Sequence, residues 1–137
     1  MIAGAAAILI LFMLGCMHVY WAAGGIAGKA AAIPTLDGRP VLRPGVFATT
    51  VVAAVLFAMA GILALRIAWP ELLAVLIRPA TWLIAAVFLL RAIGDFRYVG
   101  FFKRIRHSRF AHLDTFVYAP FCAVLAILSA IAAGRVP

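Results

Sequence analysis

Four long runs of apolar residues constrain this chain more than any other feature of its sequence. They cover approximately residues 2–24, 46–66, 80–100 and 115–133. A helix needs about 20 apolar residues to cross a hydrocarbon core of roughly 30 Å. Of the 137 residues, 68% are hydrophobic and 12% are charged, whereas soluble domains are roughly half apolar and a quarter charged. The sequence therefore predicts an all-α polytopic membrane protein, whose four transmembrane helices form one bundle and a single domain over residues 1–137.

The basic residues predict how this domain is oriented. Lys and Arg are enriched in the cytoplasmic loops of membrane proteins. Seven basic residues lie in the first and third predicted loops (Lys29, Arg39, Arg43, Lys103, Arg104, Arg106 and Arg109), and three lie on the opposite side (Arg66, Arg78 and Arg135). Both termini are therefore expected on the outer side of the membrane.

The segment F-F-K-R-I-R-H-S-R-F, residues 101–110, mixes basic and aromatic side chains. Such interleaving occurs in proteins that bind nucleic acids. It is also typical of the cytoplasmic face of a membrane protein, where cations attract anionic lipid head groups. We expect membrane lipid as the partner and no nucleic acid. The residues predicted to lie at the lipid-headgroup interface are Lys103, Arg104, Arg106 and Arg109.

Charged and polar residues interrupt the apolar runs near the predicted cytoplasmic side. At about 100° per residue, Arg91, Asp95 and Tyr98 lie on one stripe of a helix. In the first run, His18 and Trp21 share a face. Because an ionised side chain that faces lipid is costly, all five are expected to face a common polar interior. They are the predicted ligand-binding residues.

Each of these residues also has a structural interpretation. Arg91 and Asp95, four residues apart, could neutralise each other and fix helix packing. Asp114 directly precedes the fourth predicted span, where it is suited to cap the helix. His18 could hydrogen-bond to another helix, and Trp21 could belong to an interfacial aromatic belt.

The sequence predicts neither a metal site nor a cofactor. Met13, Cys16, Met17 and His18 together point around most of the helix, so they cannot converge on one ion without other spans. Motifs for phosphate, dinucleotide or metal-dependent chemistry are missing. Whether the protein is an enzyme is left open.

Five motifs extend over nearly the whole chain. They are H-x-x-W-x-x-G-G at 18–25, A-x-I-P-T at 31–35, R-x-x-G-D-F-R-Y-V-G-F-F-K at 91–103, F-A-x-L-D-T at 110–115 and Y-x-P-x-C at 118–122. In this combination the chain resembles a family of small bacterial four-helix membrane proteins catalogued as a domain of unknown function. The resemblance implies a multi-pass protein of the bacterial cytoplasmic (inner) membrane. It implies no activity, substrate or cofactor.

Three functions are compatible with these features. In the first, the protein binds or transports a small amphiphile or an anionic lipid-like ligand in a cytoplasm-facing polar cleft, where Arg91 meets the anionic group. In the second, it is a structural or accessory subunit whose charged residues pack helices, in a homo-oligomer or against a membrane partner protein. In the third, it is a small membrane enzyme that uses His18 and Asp95 as acid and base.

Overall fold

The computed structural model describes residues 2–134 of the chain. Within them, four helices are long and apolar enough to cross a membrane: α1 (Ile2–Ala22), α2 (Val46–Ala68), α3 (Ala74–Ile93) and α4 (Arg109–Gly134). The prediction of four such helices is confirmed. Arg135, which was counted on the predicted outer side, lies outside the described residues.

All four helices contribute to one apolar core. The most extensive contacts join α1 to α2 and α3 to α4. Leu11 of α1, Leu63 of α2 and Leu125 of α4 are completely buried, and Phe88 of α3 packs with them. Large apolar side chains also cover the outward faces of the helices. A helix that is apolar all round is typical of a protein surrounded by lipid.

The connection between α1 and α2 is folded. It contains a 3₁₀ turn (Lys29–Ala31) and two short antiparallel strands, β1 (Thr35–Leu36) and β2 (Arg39–Pro40). Asp37 and Gly38 join the strands with φ values of 50° and 76°, the left-handed values that a tight hairpin favours. The Tyr118 hydroxyl of α4 donates to the Ala31 carbonyl at 3.2 Å. This connection therefore lies at the same end of the protein as the start of α4.

The third helix ends at Ile93, so the prediction that it continues to residue 100 is wrong. Gly94 and Gly100 have φ values of 96° and 85°, which do not occur in a right-handed helix. The segment between them, which we call the GDFRYVG loop (residues 94–100), folds back on the helix end. The Phe101 N–H then donates to the Ala92 carbonyl at 2.8 Å. At its other end, α3 begins at Ala74, so residues 74–77 lengthen the helix.

The fourth helix begins at Arg109, before the predicted start at residue 115. Its first turn is capped by Ser108, whose Oγ accepts a hydrogen bond from the Ala111 N–H at 3.0 Å. Asp114 lies inside the helix, and the prediction that it caps the helix is wrong. The Ser108 hydroxyl already accepts from a free N–H of the first turn, so the helix does not need a carboxylate as its cap.

A π-helical turn occupies Asp114–Tyr118 within α4. In this turn the Ala119 N–H donates to the Asp114 carbonyl, five residues back. Pro120 follows directly, and in a regular α-helix its ring would clash with the carbonyl four residues earlier. The wider turn relieves this conflict. The helix is therefore locally widened just before Pro120.

The contact between Gly94 and Gly100 predicts a sharp effect of a small substitution. A methyl group at Gly100 would overlap Gly94 and the Ile93 carbonyl. We expect Gly100→Ala to lower the free energy of unfolding by at least about 1–3 kcal/mol, the typical cost of backbone strain. Thermal unfolding in detergent measures the change.

Gly61→Ala is the matched control, because nothing lies within 4 Å of a Cβ at Gly61. This variant should be neutral or stabilising by up to about 1 kcal/mol, since Ala is the better helix former. Equal stabilities of the two variants would contradict the described loop.

Candidate functional site

Asp114 is the centre of a buried charged cluster where α3 ends and α4 begins. Its carboxylate has no exposed surface. Oδ1 accepts from Arg91 Nη2 at 2.9 Å, and Oδ2 accepts from Lys103 Nζ at 3.0 Å. Oδ2 also accepts from the Gly100 N–H at 2.6 Å. One carboxylate thus connects α3, the GDFRYVG loop and α4. We call these four residues the Asp114 cluster.

Lys103 is buried in this cluster, with only 1% of its surface exposed. Its ammonium donates to the Gly100 carbonyl at 2.9 Å, to Asp114 at 3.0 Å and to the Thr115 hydroxyl at 2.7 Å. An ammonium has three N–H groups, so each one has an acceptor. The prediction that Lys103 lies at the lipid-headgroup interface is therefore wrong.

The other three residues of that predicted interface have a different environment. Arg104, Arg106 and Arg109 are all exposed. Arg106 also donates from Nε to the Lys103 carbonyl at 3.1 Å, which keeps its stem beside the cluster. Their contact with lipid head groups stays a prediction.

Arg91 pairs with Asp114, so the predicted pair of Arg91 and Asp95 is wrong. The Arg91 side chain is 33% exposed. Its Nη1 is buried and has no hydrogen-bond partner within residues 2–134. Two cations share one carboxylate, so the cluster keeps a net positive formal charge. The guanidinium therefore has an unused donor beside an uncompensated charge.

Asp95 organises the loop instead of facing the Arg91 side chain. Its Oδ1 accepts from the N–H groups of Arg97, Tyr98 and Val99 at 2.9, 2.7 and 3.0 Å. Burial raises the pKa of the Asp95 carboxyl, but these backbone bonds together outweigh it and hold the pKa below its ordinary value of 3.8. In a longer helix these N–H groups would donate to backbone carbonyls of the preceding turn. Here the Asp95 carboxylate accepts from them instead.

His18 and Trp21 form a second group on α1. The His18 Nδ1 lies 2.8 Å from the Leu14 carbonyl, and its ring packs edge-on against Trp21 at 5.0 Å. The Trp21 indole donates to the Ala27 carbonyl at 2.8 Å. Across residues 2–134, no hydrogen bond, ion pair or ring contact joins this group to the Asp114 cluster. A shared role in ligand binding stays a prediction.

Tyr98 lies beside the hairpin of the first connection. Together with residues that include Asp37 and Arg39, it lines an open groove of about 540 Å³. The Arg97 guanidinium lies 5.1 Å from the centre of the Tyr98 ring, a distance that permits a cation–π contact. The predicted stripe of Arg91, Asp95 and Tyr98 does not exist, because all but the first lie beyond the helix end.

Metal binding has no support in the part of the chain that the structure describes. There, no group of three His, Cys, Asp or Glu side chains could hold an ion.

Sequence reasoning missed Asp114 and Lys103 as members of the site. The chain has only four carboxylates: Asp37, Glu71, Asp95 and Asp114. Asp37 precedes a glycine at a turn, and Glu71 lies in the loop on the opposite side of the membrane from Arg91. Asp95 follows a glycine, a position in which its carboxylate can accept from the N–H groups of its own loop. Elimination would have left Asp114 as the partner of Arg91.

Four helices of this length and apolarity are typical of a multi-pass membrane protein. The chain belongs to the family described as protein of unknown function (DUF3995), which matches residues 11–129. The matched region reaches into all four helices, and the resemblance to a family of unknown function is confirmed. No curated protein and no solved structure matches the chain.

The Asp114 cluster predicts a large effect of a single substitution. In Asp114→Asn, Lys103 and Arg91 lose the charge that compensates them. Removing one partner of a buried ion pair typically costs about 3–5 kcal/mol. We expect a loss of this size in the free energy of unfolding, measured by SDS titration in mixed micelles.

Asp37→Asn is the control for this prediction. Asp37 is exposed at the hairpin turn, and asparagine tolerates the same left-handed backbone. Its effect should stay within about 0.5 kcal/mol. A loss in Asp114→Asn no larger than this would refute the structural role of the cluster.

The lowered pKa of Asp95 predicts how the stability of the loop depends on pH. Its contribution is fully present above the ordinary, unfolded-state pKa of 3.8. It is lost as the pH falls through the lower pKa of the folded state. Unfolding midpoints of wild type and Asp95→Asn, measured from pH 7 downwards, should differ by a constant amount at neutral pH. The difference should shrink below about pH 4, and a constant difference throughout would contradict the role of the carboxylate.

Proposed function

We propose that this protein is a multi-pass protein of the bacterial cytoplasmic membrane that binds or transports a small amphiphile with an anionic head group. In this proposal the anionic group contacts Arg91 at the basic end of the helices. The apolar tail lies along the outward faces of the helices. The two termini are on the opposite, outer side of the membrane.

The unused donor of Arg91 carries the proposal. A buried guanidinium N–H without an acceptor is costly, since buried polar groups are otherwise almost always hydrogen-bonded. The Arg91 side chain is partly exposed, although Nη1 itself is buried. A phosphate or carboxylate there would supply the acceptor and neutralise the net charge of the Asp114 cluster. Charge-assisted hydrogen bonds from Arg to such groups are among the stronger ones in proteins.

The charge of the surrounding surface supports the same ligand class. Nine basic and three acidic residues lie at this end: Lys29, Arg39, Arg43, Arg91, Arg97, Lys103, Arg104, Arg106 and Arg109, with Asp37, Asp95 and Asp114. A surface of one dominant sign raises the local concentration of ligands of the opposite sign. The excess also agrees with the expectation that this end faces the cytoplasm.

A structural role is the second candidate, and the burial of Lys103 and Asp114 favours it. Their side chains have no exposed surface, and their bonds hold the GDFRYVG loop to α4. In this alternative the cluster only fixes the loop, in an accessory subunit of a membrane complex or in a homo-oligomer. The proposed enzyme has less support, because within residues 2–134 no hydrogen bond joins His18 to Asp95: His18 Nδ1 lies beside the Leu14 carbonyl, and Asp95 Oδ1 accepts from its own loop.

Lipid retention distinguishes the two candidates. Wild-type protein extracted in mild detergent should carry an anionic lipid-like molecule that native mass spectrometry detects. Arg91→Leu should weaken the affinity for this molecule about tenfold or more and so lower the bound fraction, because a hydrogen bond to a charged group contributes roughly 1.5–3 kcal/mol. Asp114 and Lys103 keep each other as partners in this variant, so the fold should survive.

Arg78→Leu is the matched control, because it removes one exposed positive charge from the opposite end. It should retain the bound molecule at the wild-type level. Equal retention by Arg91→Leu and wild type would overturn the binding proposal. A partner protein that co-purifies with wild type and is lost in Asp114→Asn would favour the accessory subunit instead.

A further inference from the structure

The connection between α3 and α4 presents apolar rings on its surface. Phe96 is 58% exposed, Phe101 39% and Phe102 61%. The rings of Phe96 and Phe102 pack against each other with centres 6.4 Å apart. We call these three residues the aromatic flank. Phe96 has a φ of 61°, which bulky residues rarely adopt. The loop therefore contains backbone strain at a residue whose ring lies on the surface and outside the core.

The backbone N–H groups beneath the aromatic flank are hydrogen-bonded within the protein itself. Residues 97–99 donate to Asp95, Gly100 donates to Asp114, and residues 101 and 102 donate to the carbonyls of Ala92 and Ile93. Each backbone N–H from residue 97 to residue 102 thus has an acceptor within the chain. An unpaired peptide N–H is one of the costs of moving an irregular segment away from water. This segment does not carry that cost.

The charges beside the aromatic flank are mostly positive. Arg97, Arg104 and Arg106 are exposed around it, while the nearby Asp95 is engaged by three backbone N–H groups. Basic side chains near a membrane surface are attracted to anionic lipids. Aromatic rings are favoured at the same depth, between head groups and acyl chains.

We propose that the aromatic flank inserts into the interface of the anionic lipid leaflet and anchors the loop between α3 and α4 there. Phe96 and Phe102 enter the acyl boundary, and the neighbouring arginines contact lipid phosphates. The loop is held in this shape by the Asp114 cluster and by Asp95 before it meets lipid. This anchoring is independent of a ligand at Arg91, and either proposal can fail without the other.

Site-directed spin labelling tests the insertion in the full chain. In a background with Cys16→Ala and Cys122→Ala, a nitroxide is attached at Phe102→Cys, and the protein is placed in phosphatidylglycerol nanodiscs. The label should collide more often with oxygen, which concentrates in lipid, than with a water-soluble nickel chelate. Phe96→Cys provides a second position with the same expected result, and thermal unfolding identifies any variant that has not folded.

Two reference positions calibrate the depth. His107→Cys is exposed on the same connection and should favour the nickel chelate, whereas Leu89→Cys, exposed on α3, should favour oxygen. A label at Phe102→Cys that behaves as the one at His107→Cys would overturn the proposal. Shielding from both reagents would also overturn it, because a protein surface would then cover the flank.

Lipid charge tests the contribution of the arginines. The label at Phe102→Cys should lie deeper in phosphatidylglycerol than in phosphatidylcholine nanodiscs. Charge removal in Arg97→Gln with Arg104→Gln should abolish this difference. If the label at Phe102→Cys lies at equal depth in both lipids while Arg97 and Arg104 are present, the recognition of an anionic leaflet is refuted.

Discussion

The ion pairs of one buried carboxylate with two cations determine the shape of the protein where α3 ends and α4 begins. Desolvating three ionised groups is costly, and the cost is offset only where the partners are complete and well placed. Asp114 meets that condition, because its two oxygens together accept from Arg91, Lys103 and a backbone N–H. Since these donors come from α3 and from the chain that follows it, the position of the connection depends on a residue inside α4.

The two aspartates near this end have different roles that follow from their environments. Asp95 is exposed and uses one oxygen to collect three consecutive N–H groups, so it shapes the loop locally. Asp114 is buried and fixes the same loop to another helix. Between them, Gly94 and Gly100 supply the backbone conformations and the close contact that the turn requires. The resulting loop presents exposed aromatic and basic side chains while the N–H groups of residues 97–102 are all hydrogen-bonded.

Hydropathy was sufficient to predict the helices but not the end of α3. Tyr98, Val99, Phe101 and Phe102 follow Gly94, and these aromatic and apolar residues continue the hydrophobic run beyond Asp95 and Arg97. A glycine within a membrane helix is ordinary, so Gly94 gave no decisive signal. The hairpin turn was predictable because Asp37 and Gly38 act locally. Local periodicity could not predict the cluster, since its bonds join residues 11 to 23 positions apart, and Asp114 could be found only by eliminating the other acidic residues.

The charge balance of the cluster bears on the choice between packing and binding. Lys103 and Asp114 alone would form a neutral pair that ties the loop to α4, with all three ammonium donors used. Arg91 is not needed for neutrality, and it introduces an excess charge and a buried donor without an acceptor. An apolar residue in place of Arg91 would leave the neutral pair of Lys103 and Asp114 but would remove the donor to Oδ1 of the buried carboxylate. The proposed anionic ligand would neutralise the excess charge and give the buried Nη1 of Arg91 an acceptor.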